Sequence, residues 1–191
     1  MGYKYETHMH TAESSACGRF CAREMVQAYK AAGYAGIFVT DHFFNGNCTV
    51  DRRLPWADKV ELFCKGYENA KAEGDKIGLD VFFGFEYCVE GADFLVYNLD
   101  KEWLLKHRDV DVWAPRKAFE AMHRGGGFIV HAHPFRERDY INHIHLFPRD
   151  VDAVESINGG QLSEPWMNER ANIYAMMYEL PKTSGSDAHD A

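Results

Sequence analysis

The segment YETHMHT at residues 5–11 and the segment GSDAH at residues 185–189 carry the pattern around which the chain is organised. Side chains of an extended strand alternate between its two faces, so His8 and His10 are expected to project to the same side. Asp187 and His189 have the same spacing. Imidazole and carboxylate groups are common ligands of transition metals. We therefore expect the fold to bring the two segments together, so that four metal-binding side chains meet.

The composition indicates one domain that acts on a small molecule. The chain has 191 residues, of which 46% are hydrophobic, enough for a single core spanning residues 1–191. A formal net charge of -8, without a basic patch, argues against nucleic acid as the main partner. No apolar stretch has the length of a membrane span and no apolar leader precedes the first motif, so we expect a cytoplasmic protein that binds no membrane. Nothing in the sequence indicates an oligomeric state.

The five cysteines are odd in number and lack the close pairs of a structural zinc site. In a cytoplasmic protein this pattern favours reduced thiols. Cys17, near the first motif, is a candidate thiolate ligand of a metal or a residue without a role in the site. The sequence leaves both readings open.

Short apolar runs alternate with helical patterns along most of the chain. The runs at 36–40, 80–85 and 128–130 are followed by Asp41 and His42, by Glu86, and by His131 and His133. Further strands are predicted at 93–99, beginning with Asp93, and at 151–157; helices are predicted at 19–32, 60–77, 103–107, 116–123 and 165–180. This alternation is typical of an α/β fold with a largely parallel sheet or barrel, whose functional residues lie at the carboxyl ends of the strands.

The accumulation of these residues is the signal for a metal site. A single His-x-His motif is weak evidence, because paired histidines also occur at surfaces and in cores. Here six segments each place His, Asp or Glu at a predicted strand end. This donor set favours zinc, manganese or iron over calcium.

The motifs HMH (8–10), TDH (40–42), GFE (84–86), AHP (132–134) and GSDAH (185–189), in this order, resemble those of the polymerase and histidinol phosphatase (PHP) domain. The resemblance covers essentially the whole chain. It implies a distorted seven-stranded (β/α) barrel that holds two or three divalent ions at its carboxyl mouth, usually in phosphoesterases. In the family the chain generally continues into another strand and helix, whereas this sequence stops two residues after His189. We therefore expect either a shortened sequence or a barrel that is incomplete at its C-terminus.

The resemblance also implies three sets of metal ligands. A first ion would be bound by His8, His10, Glu86 and Asp187. Glu86 would bridge to a second ion, bound also by His133; the family's usual histidine after the glutamate is missing, and Asp93 stands in its place. A third ion would take His42 and His189, with Glu13 replacing the family's aspartate or histidine.

Several residues near these motifs are candidates for contact with substrate. His42, His133 and His189 are candidate proton donors to a leaving alcohol where metal does not occupy them. Arg19 and Arg136 each follow a motif closely, and a guanidinium matches phosphate geometry, although both could equally be exposed surface charges. His131 could be a ligand, a substrate contact or a hydrogen-bond donor behind a ligand; strand alternation places it on the same face as His133.

The leading hypothesis is metal-dependent hydrolysis of a small phosphorylated substrate, either a phosphomonoester or a nucleotide-type molecule, by a metal-activated water in a di- or trinuclear centre. One alternative is a non-catalytic, metal-stabilised regulatory module. Another is hydrolysis of a non-phosphate substrate, as in amidohydrolase-like barrels. Those usually employ a lysine at the metals, and no lysine here follows a predicted strand beside the cluster.

Overall fold

A computed structural model describes residues 2–190 of the chain. Within these residues, seven strands form one curved sheet in sequential order. The strands are β1 (Tyr5–Glu6), β2 (Gly36–Val39), β3 (Asp80–Val89), β4 (Ala92–Tyr97), β5 (Phe128–Ala132), β6 (Ala153–Asn158) and β7 (Lys182–Gly185). The helices are α1 (Ala22–Ala31), α2 (Trp56–Phe63), α3 (Lys65–Ile77), α4 (Lys101–Lys106), α5 (Pro115–Arg124) and α6 (Pro165–Met177).

The two ends of the sheet meet, so the sheet curves into a nearly closed barrel. Immediately after β1, Met9 forms a parallel bridge with Ala188, which follows β7. His10 N donates to Ala188 O at 2.9 Å, and Asp187 N donates to His8 O at 2.8 Å. The predicted distorted seven-stranded barrel is confirmed, and the described C-terminal residues bring the two ends of the sheet into contact.

The sheet is largely parallel, as predicted, with one reversed strand. Strands β1, β2 and β3 are parallel, as are β5, β6 and β7, whereas β4 runs antiparallel to both of its neighbours. The reason is a tight hairpin after β3, where Glu90 and Gly91 adopt φ values of 52° and 85°. Because β4 is reversed, its first residues lie at the edge where the parallel strands end.

Strand β3 also continues to Val89, past the predicted end at Glu86. The extension is stabilised by pairing with β4, in which Tyr87 lies opposite Phe94 and Val89 opposite Ala92. Both Tyr87 and Val89 are buried. Glu86 therefore lies inside a strand whose neighbours fix its direction.

The helices cover the outside of the barrel. The single helix predicted at 60–77 is two helices, α2 and α3, which meet at Cys64. Helix α1 is followed by Gly33 at a φ of 79°, the left-handed conformation that ends many helices. Helices α1 and α3 pack together over a cluster of buried side chains that includes Met25, Ile37 and Ala70. Among residues 2–190, no helix is both long and apolar enough to cross a bilayer.

Candidate metal centre

The carboxyl edge of the barrel gathers seven of the predicted ligands. Two follow β1, one follows β2, one lies in β3, one follows β5 and two follow β7. They are His8, His10, His42, Glu86, His133, Asp187 and His189. The potential ligand atoms form three overlapping groups, and within each group all of them lie within 4.8 Å of one another. The groups are His8, Glu86 and His133; His8, His10 and Asp187; and His10, His42 and His189.

Glu86 lies at the centre of this cluster. Its Oε1 is 3.2 Å from His133 Nε2 and 3.4 Å from His8 Nε2. Its Oε2 is 2.6 Å from His42 Nδ1 and 3.5 Å from His10 Nε2. The side chain is only 1% exposed, so its carboxylate is directed entirely toward the cluster.

One carboxylate oxygen in the cluster, Asp187 Oδ1, is buried without a hydrogen-bond partner. An unpaired buried carboxylate oxygen is costly, because it has lost water and gained no donor. Asp187 Oδ1 is 3.2 Å from His10 Nε2 and 3.4 Å from His8 Nε2. A divalent ion would satisfy this oxygen, and the side chains present therefore fit a metal centre.

Hydrogen bonds outside the cluster orient two of the imidazoles. His8 Nδ1 donates to Glu155 Oε1 at 2.8 Å, since a carboxylate can only accept. His10 Nδ1 lies 3.1 Å from Ser15 Oγ, whose own proton is directed to Asp41 Oδ1 at 2.7 Å. His10 Nδ1 must therefore donate, which leaves the Nε2 atoms of both histidines facing the cluster.

The two Nε2 atoms of His8 and His10 are 3.2 Å apart. Two unprotonated imidazole nitrogens facing each other over this distance would repel unless a cation or a proton lay close to both. Imidazole nitrogens and carboxylate oxygens suit zinc, manganese and iron. The arrangement can therefore bind divalent ions that share ligands.

The charges of the cluster keep its carboxylates ionised. Burial alone would raise the pKa of Glu86, but the neighbouring His42 and His8 outweigh it and hold that pKa well below its usual range. Burial alone would also raise the pKa of Asp187, but His8, His10 and His133 together hold that pKa far below its usual range. Burial and the adjacent His42 lower the pKa of His10 to about 3. Glu86 and Asp187 are thus anionic and His10 neutral at pH 7, the forms that bind metals.

Asp93 and Glu13, predicted as further ligands, lie outside the three groups of converging ligand atoms. Asp93, at the start of β4, lies opposite Cys88 and lines a small pocket with His133 and Arg136. Burial and the nearby Glu86 raise its pKa. Glu13 accepts hydrogen bonds from Ala22 N at 2.9 and 3.2 Å and from Asn69 Nδ2 at 3.1 Å.

Cys17 also lies outside the three groups of converging ligand atoms. Burial opposes ionisation, but hydrogen bonds with His189 and His42 lower the pKa of Cys17 to about 6. The sequence left Cys17 open between a thiolate ligand and a bystander; the structure places it against two of the histidines.

The two candidate phosphate-binding arginines differ in their surroundings. Arg136 is 25% exposed, and its Nη1 lies 3.8 Å from Asp187 Oδ2 at the margin of the cluster. Its Nε is buried without a partner. The Arg19 side chain is 73% exposed and lies 3.4 Å from Asp190. Arg136 is therefore directed to the centre, and Arg19 to the surface.

His131 packs in the interior rather than beside His133. Its ring stacks on Phe94 at 4.8 Å and meets Tyr174 edge-on at 5.8 Å. The strand alternation that predicted a common face ends at Ala132, because His133 adopts a φ of 27°. Burial, together with His133, lowers the pKa of His131 to about 3, so its ring stays neutral.

Two residues of the site were not singled out from the sequence, Glu155 and Ser15. Glu155 places a carboxylate inside the strand predicted at 151–157, and a charged residue inside a predicted strand is a usable signal. Ser15 carries no comparable signal, because serine is common in loops. Its role becomes visible only once His10, Asp41 and His42 are seen around it.

The fold and the cluster together define a metal-binding barrel, and comparison with known proteins agrees. A family model described as PHP-associated matches residues 165–191. A search of curated proteins finds no match. The family match is confined to the C-terminal part of the chain, and the solved structures described next share the fold.

Three solved structures share this fold at low sequence identity. One is a two-domain protein from Bacteroides vulgatus ATCC 8482 containing a predicted PHP-like metal-dependent phosphoesterase, with a TM-score of 0.71, 17% identity, and coverage of 98% of this chain and 52% of that one. A candidate metal-dependent phosphoesterase from Bifidobacterium adolescentis ATCC 15703 has a TM-score of 0.63 and 17% identity, and the match covers 99% of this chain and 88% of that one. An amidohydrolase from Chromobacterium violaceum, with bound sulfate and no metal, has a TM-score of 0.65 and 14% identity, and the match covers 97% of this chain and 87% of that one. The chain thus spans about half the length of the Bacteroides protein.

Proposed function

We propose that this protein is a metal-dependent hydrolase of phosphate esters, with a phosphomonoester or a nucleotide-type small molecule as its substrate. Two or three divalent ions, of zinc, manganese or iron, would be bound at the carboxyl mouth of the barrel. The observation that carries the proposal is the position of Glu86, whose two oxygens lie within 3.5 Å of nitrogens from His8, His10, His42 and His133. A single carboxylate surrounded by several imidazoles can serve as a ligand shared by neighbouring ions.

The ligands divide between the two sides of Glu86. Its Oε1 faces His8 and His133, and its Oε2 faces His10 and His42. Asp187 lies close to His8 and His10, and His189 stacks on His10 with ring centroids 4.4 Å apart. When bound here, divalent ions would supply Lewis-acid stabilisation of phosphoryl oxygens and lower the pKa of water toward neutrality.

The residues of the chain would bind and position the substrate. Arg136 can offer its guanidinium to phosphoryl oxygens at the margin of the cluster, because its Nε is unpaired and its Nη1 is only loosely held by Asp187 at 3.8 Å. His42, His133 and His189 are the candidate donors of a proton to the leaving oxygen, to the extent that metal leaves one of their nitrogens free. His143 and His145 line the pocket beside Arg136 and would contact the part of the substrate outside the centre.

Metal analysis combined with assays on aryl phosphates tests this proposal. We expect the purified protein to contain at least one transition metal, to hydrolyse an aryl phosphate monoester or diester, and to lose that activity on chelation and regain it with manganese or zinc. Metal-free protein with activity insensitive to chelators would contradict the proposal.

A matched pair of substitutions connects the activity to the centre. Glu86→Gln keeps the shape of the side chain but removes its charge, so metal binding and turnover should both fall to background. Glu120→Gln changes a half-exposed carboxylate on α5 that pairs with Arg116 and should leave both unchanged. Unchanged turnover in Glu86→Gln would exclude Glu86 as a ligand.

One alternative substrate class belongs in the same assay. The Chromobacterium neighbour is named an amidohydrolase. Aryl amides and esters presented beside aryl phosphates at equal concentration distinguish the two classes. Preference for the amide would replace phosphate-ester hydrolysis while retaining the metal centre.

A further inference from the structure

We propose that the outer face of helix α6 is the contact surface of a symmetric dimer of this chain. Helix α6 (Pro165–Met177) connects β6 to β7 along the outside of the barrel. The residues of its outer face are Trp166, Glu169, Arg170, Ile173, Met176 and Met177. The inference goes beyond the proposed function, since it requires neither bound ions nor a substrate.

The inner face of α6 attaches the helix to the barrel. Met167, Ala171, Tyr174 and Ala175 are buried, and the last three pack against Val154 of β6. Spacings of three and four residues place such side chains on one side of a helix. The six residues of the outer face lie on the opposite side, and all of them are exposed.

The outer face of α6 is unusually apolar for a helix surface in contact with water. Its four apolar side chains are between 42% and 74% exposed, and they are Trp166, Ile173, Met176 and Met177. On helix α5, by contrast, every exposed position carries a charged or titratable side chain, namely Arg116, Lys117, Glu120, His123 and Arg124. A helix that is apolar on all sides is typically covered on all sides. Within residues 2–190, nothing covers the outer face of α6.

The size of the outer face suits a protein interface. Its four apolar residues leave roughly 500 Å² in contact with water, close to the upper end of the about 300–600 Å² of the largest patch on a typical monomer. Glu169, Arg170 and Leu162, which precedes the helix, are also exposed. They enlarge the face to about the 800 Å² that each partner contributes to a standard interface. The face is therefore large enough for a stable dimer.

The two charges of the outer face complement each other across a two-fold axis. Consecutive residues of a helix are about 100° apart, so Glu169 and Arg170 lie on opposite sides of the stripe formed by Trp166, Ile173 and Met177. When two such helices pack side by side and parallel about a two-fold axis, each side of one helix faces the opposite side of the other. Glu169 of one copy then faces Arg170 of the other, twice in each dimer.

This charge pattern selects a second copy as the occupant and a parallel arrangement of the helices. In an antiparallel pair, equivalent sides would face each other, so Glu169 would meet Glu169 and Arg170 would meet Arg170. Within one chain, Arg170 Nη1 already lies 2.5 Å from Glu137 Oε1, and both side chains are 51% exposed. In the parallel dimer Arg170 would lie between two carboxylates, one from each copy.

Sedimentation equilibrium over a range of concentrations tests the proposal. The wild type should be a dimer of the 21.9 kDa chain. Ile173→Glu places an unpaired charge at the centre of the contact and should weaken dimerisation at least about 100-fold. Leu62→Glu, the same kind of change at a half-exposed apolar position on α2, is the matched control and should leave dimerisation unchanged.

The measured mass decides the proposal without an activity assay, so its failure is distinct from failure of the proposed function. A wild type that sediments as a monomer at every concentration would overturn the proposal and assign the face to a different protein. A dimer that survives both Ile173→Glu and Met177→Glu would overturn the assignment to α6. Circular dichroism should show that both variants fold, because both positions are exposed.

Charge exchange tests the parallel pairing. Glu169→Arg and Arg170→Glu each place like charges across the contact, so each variant alone should be monomeric. An equimolar mixture of the two variants should dimerise, because every facing pair then has opposite charges again. A mixture that stays monomeric, or single variants that dimerise as the wild type does, would overturn the parallel pairing.

Discussion

The imidazole of His8 donates from Nδ1 to the Oε1 atom of Glu155 at 2.8 Å, and both side chains are fully buried. Glu155 uses its other oxygen to accept from His133 N at 3.1 Å and from Asn158 Nδ2 at 2.8 Å. One carboxylate thereby orients a residue after β1 and a residue after β5. Glu155 therefore orients residues of the metal centre, although its own carboxylate does not point at the cluster of ligands.

Replacing Glu155 with Gln should therefore weaken metal binding. The amide can still accept from His8, but its NH₂ group would face two donors, and ligand orientation would suffer. Loss of such a supporting contact lowers metal affinity by about 10- to 100-fold. Competition with a chromophoric chelator measures the affinity, with Glu120→Gln as the control; equal affinities in the two variants would refute this role.

The Arg136 and Arg19 side chains should differ in their effect on phosphate binding. Arg136→Met removes a guanidinium beside Asp187, whereas Arg19→Met changes a side chain that is 73% exposed. A hydrogen bond to a charged group contributes about 1.5–3 kcal/mol, so Arg136→Met should weaken inhibition by inorganic phosphate by about 10- to 100-fold.

The inhibition constant of phosphate against an aryl phosphate measures this difference, and kcat should change less than KM if Arg136 serves in binding. Arg19→Met should change neither value appreciably. An equal effect of both substitutions would argue against Arg136 as the phosphate contact.

Gly185→Ala should damage the centre from the end of β7. A Cβ atom at this position would collide with the Cβ atom of His8 and lie 2.7 Å from Glu155 Oε1. Overpacking of this kind costs about 1–3 kcal/mol. Urea denaturation of the metal-free protein should show this loss, and zinc affinity should fall with it. Gly2→Ala, where no atom lies within 4 Å of the added methyl, is the control and should change neither.

His131 should make the stability of the metal-free protein depend on pH. Burial and the neighbouring His133 lower its pKa from 6.5 to about 3, so the folded chain holds it neutral while the unfolded chain protonates it near pH 6.5. Its contribution is therefore complete above pH 6.5 and is lost as the pH falls toward 3. Between pH 7 and pH 5 the expected loss is about 2 kcal/mol.

His131→Phe removes the titrating group and retains an aromatic ring against Phe94. Urea denaturation at pH 7 and pH 5 should show a smaller loss in this variant than in the wild type. His143→Phe, at an exposed position, should behave as the wild type. Identical pH dependence in all three proteins would show that His131 does not contribute.

Much of the centre could be predicted because strand ends and metal ligands coincide in the sequence. His8, His10, Glu86 and Asp187 were placed together from motif spacing and from the resemblance to the PHP domain, and the structure brings them together. Such local patterns survive in a linear sequence because each ligand directly follows or lies within an apolar run.

The remaining features of the site depend on the local backbone conformation, which the sequence pattern alone does not specify. His131 was expected beside His133 because strands alternate, but β5 ends at Ala132 and the next residue turns to a positive φ. The reversal of β4 depends on the hairpin at Glu90 and Gly91. Glu13 was predicted as a metal ligand because of its charge, but its carboxylate accepts a hydrogen bond from a backbone N–H at the start of α1.

The contact between the chain's opening and closing segments has a consequence for how the protein is made. Glu6 and Ser186, 180 positions apart, are joined by a hydrogen bond of 2.9 Å, and the ligands beside them come from the same two segments. During synthesis, residues 8 and 10 leave the ribosome long before residues 187 and 189. The complete ligand set therefore cannot form before the closing segment has left the ribosome, and any ion that binds earlier must do so without Asp187 and His189. Full metal loading of this centre therefore waits for the closing segment.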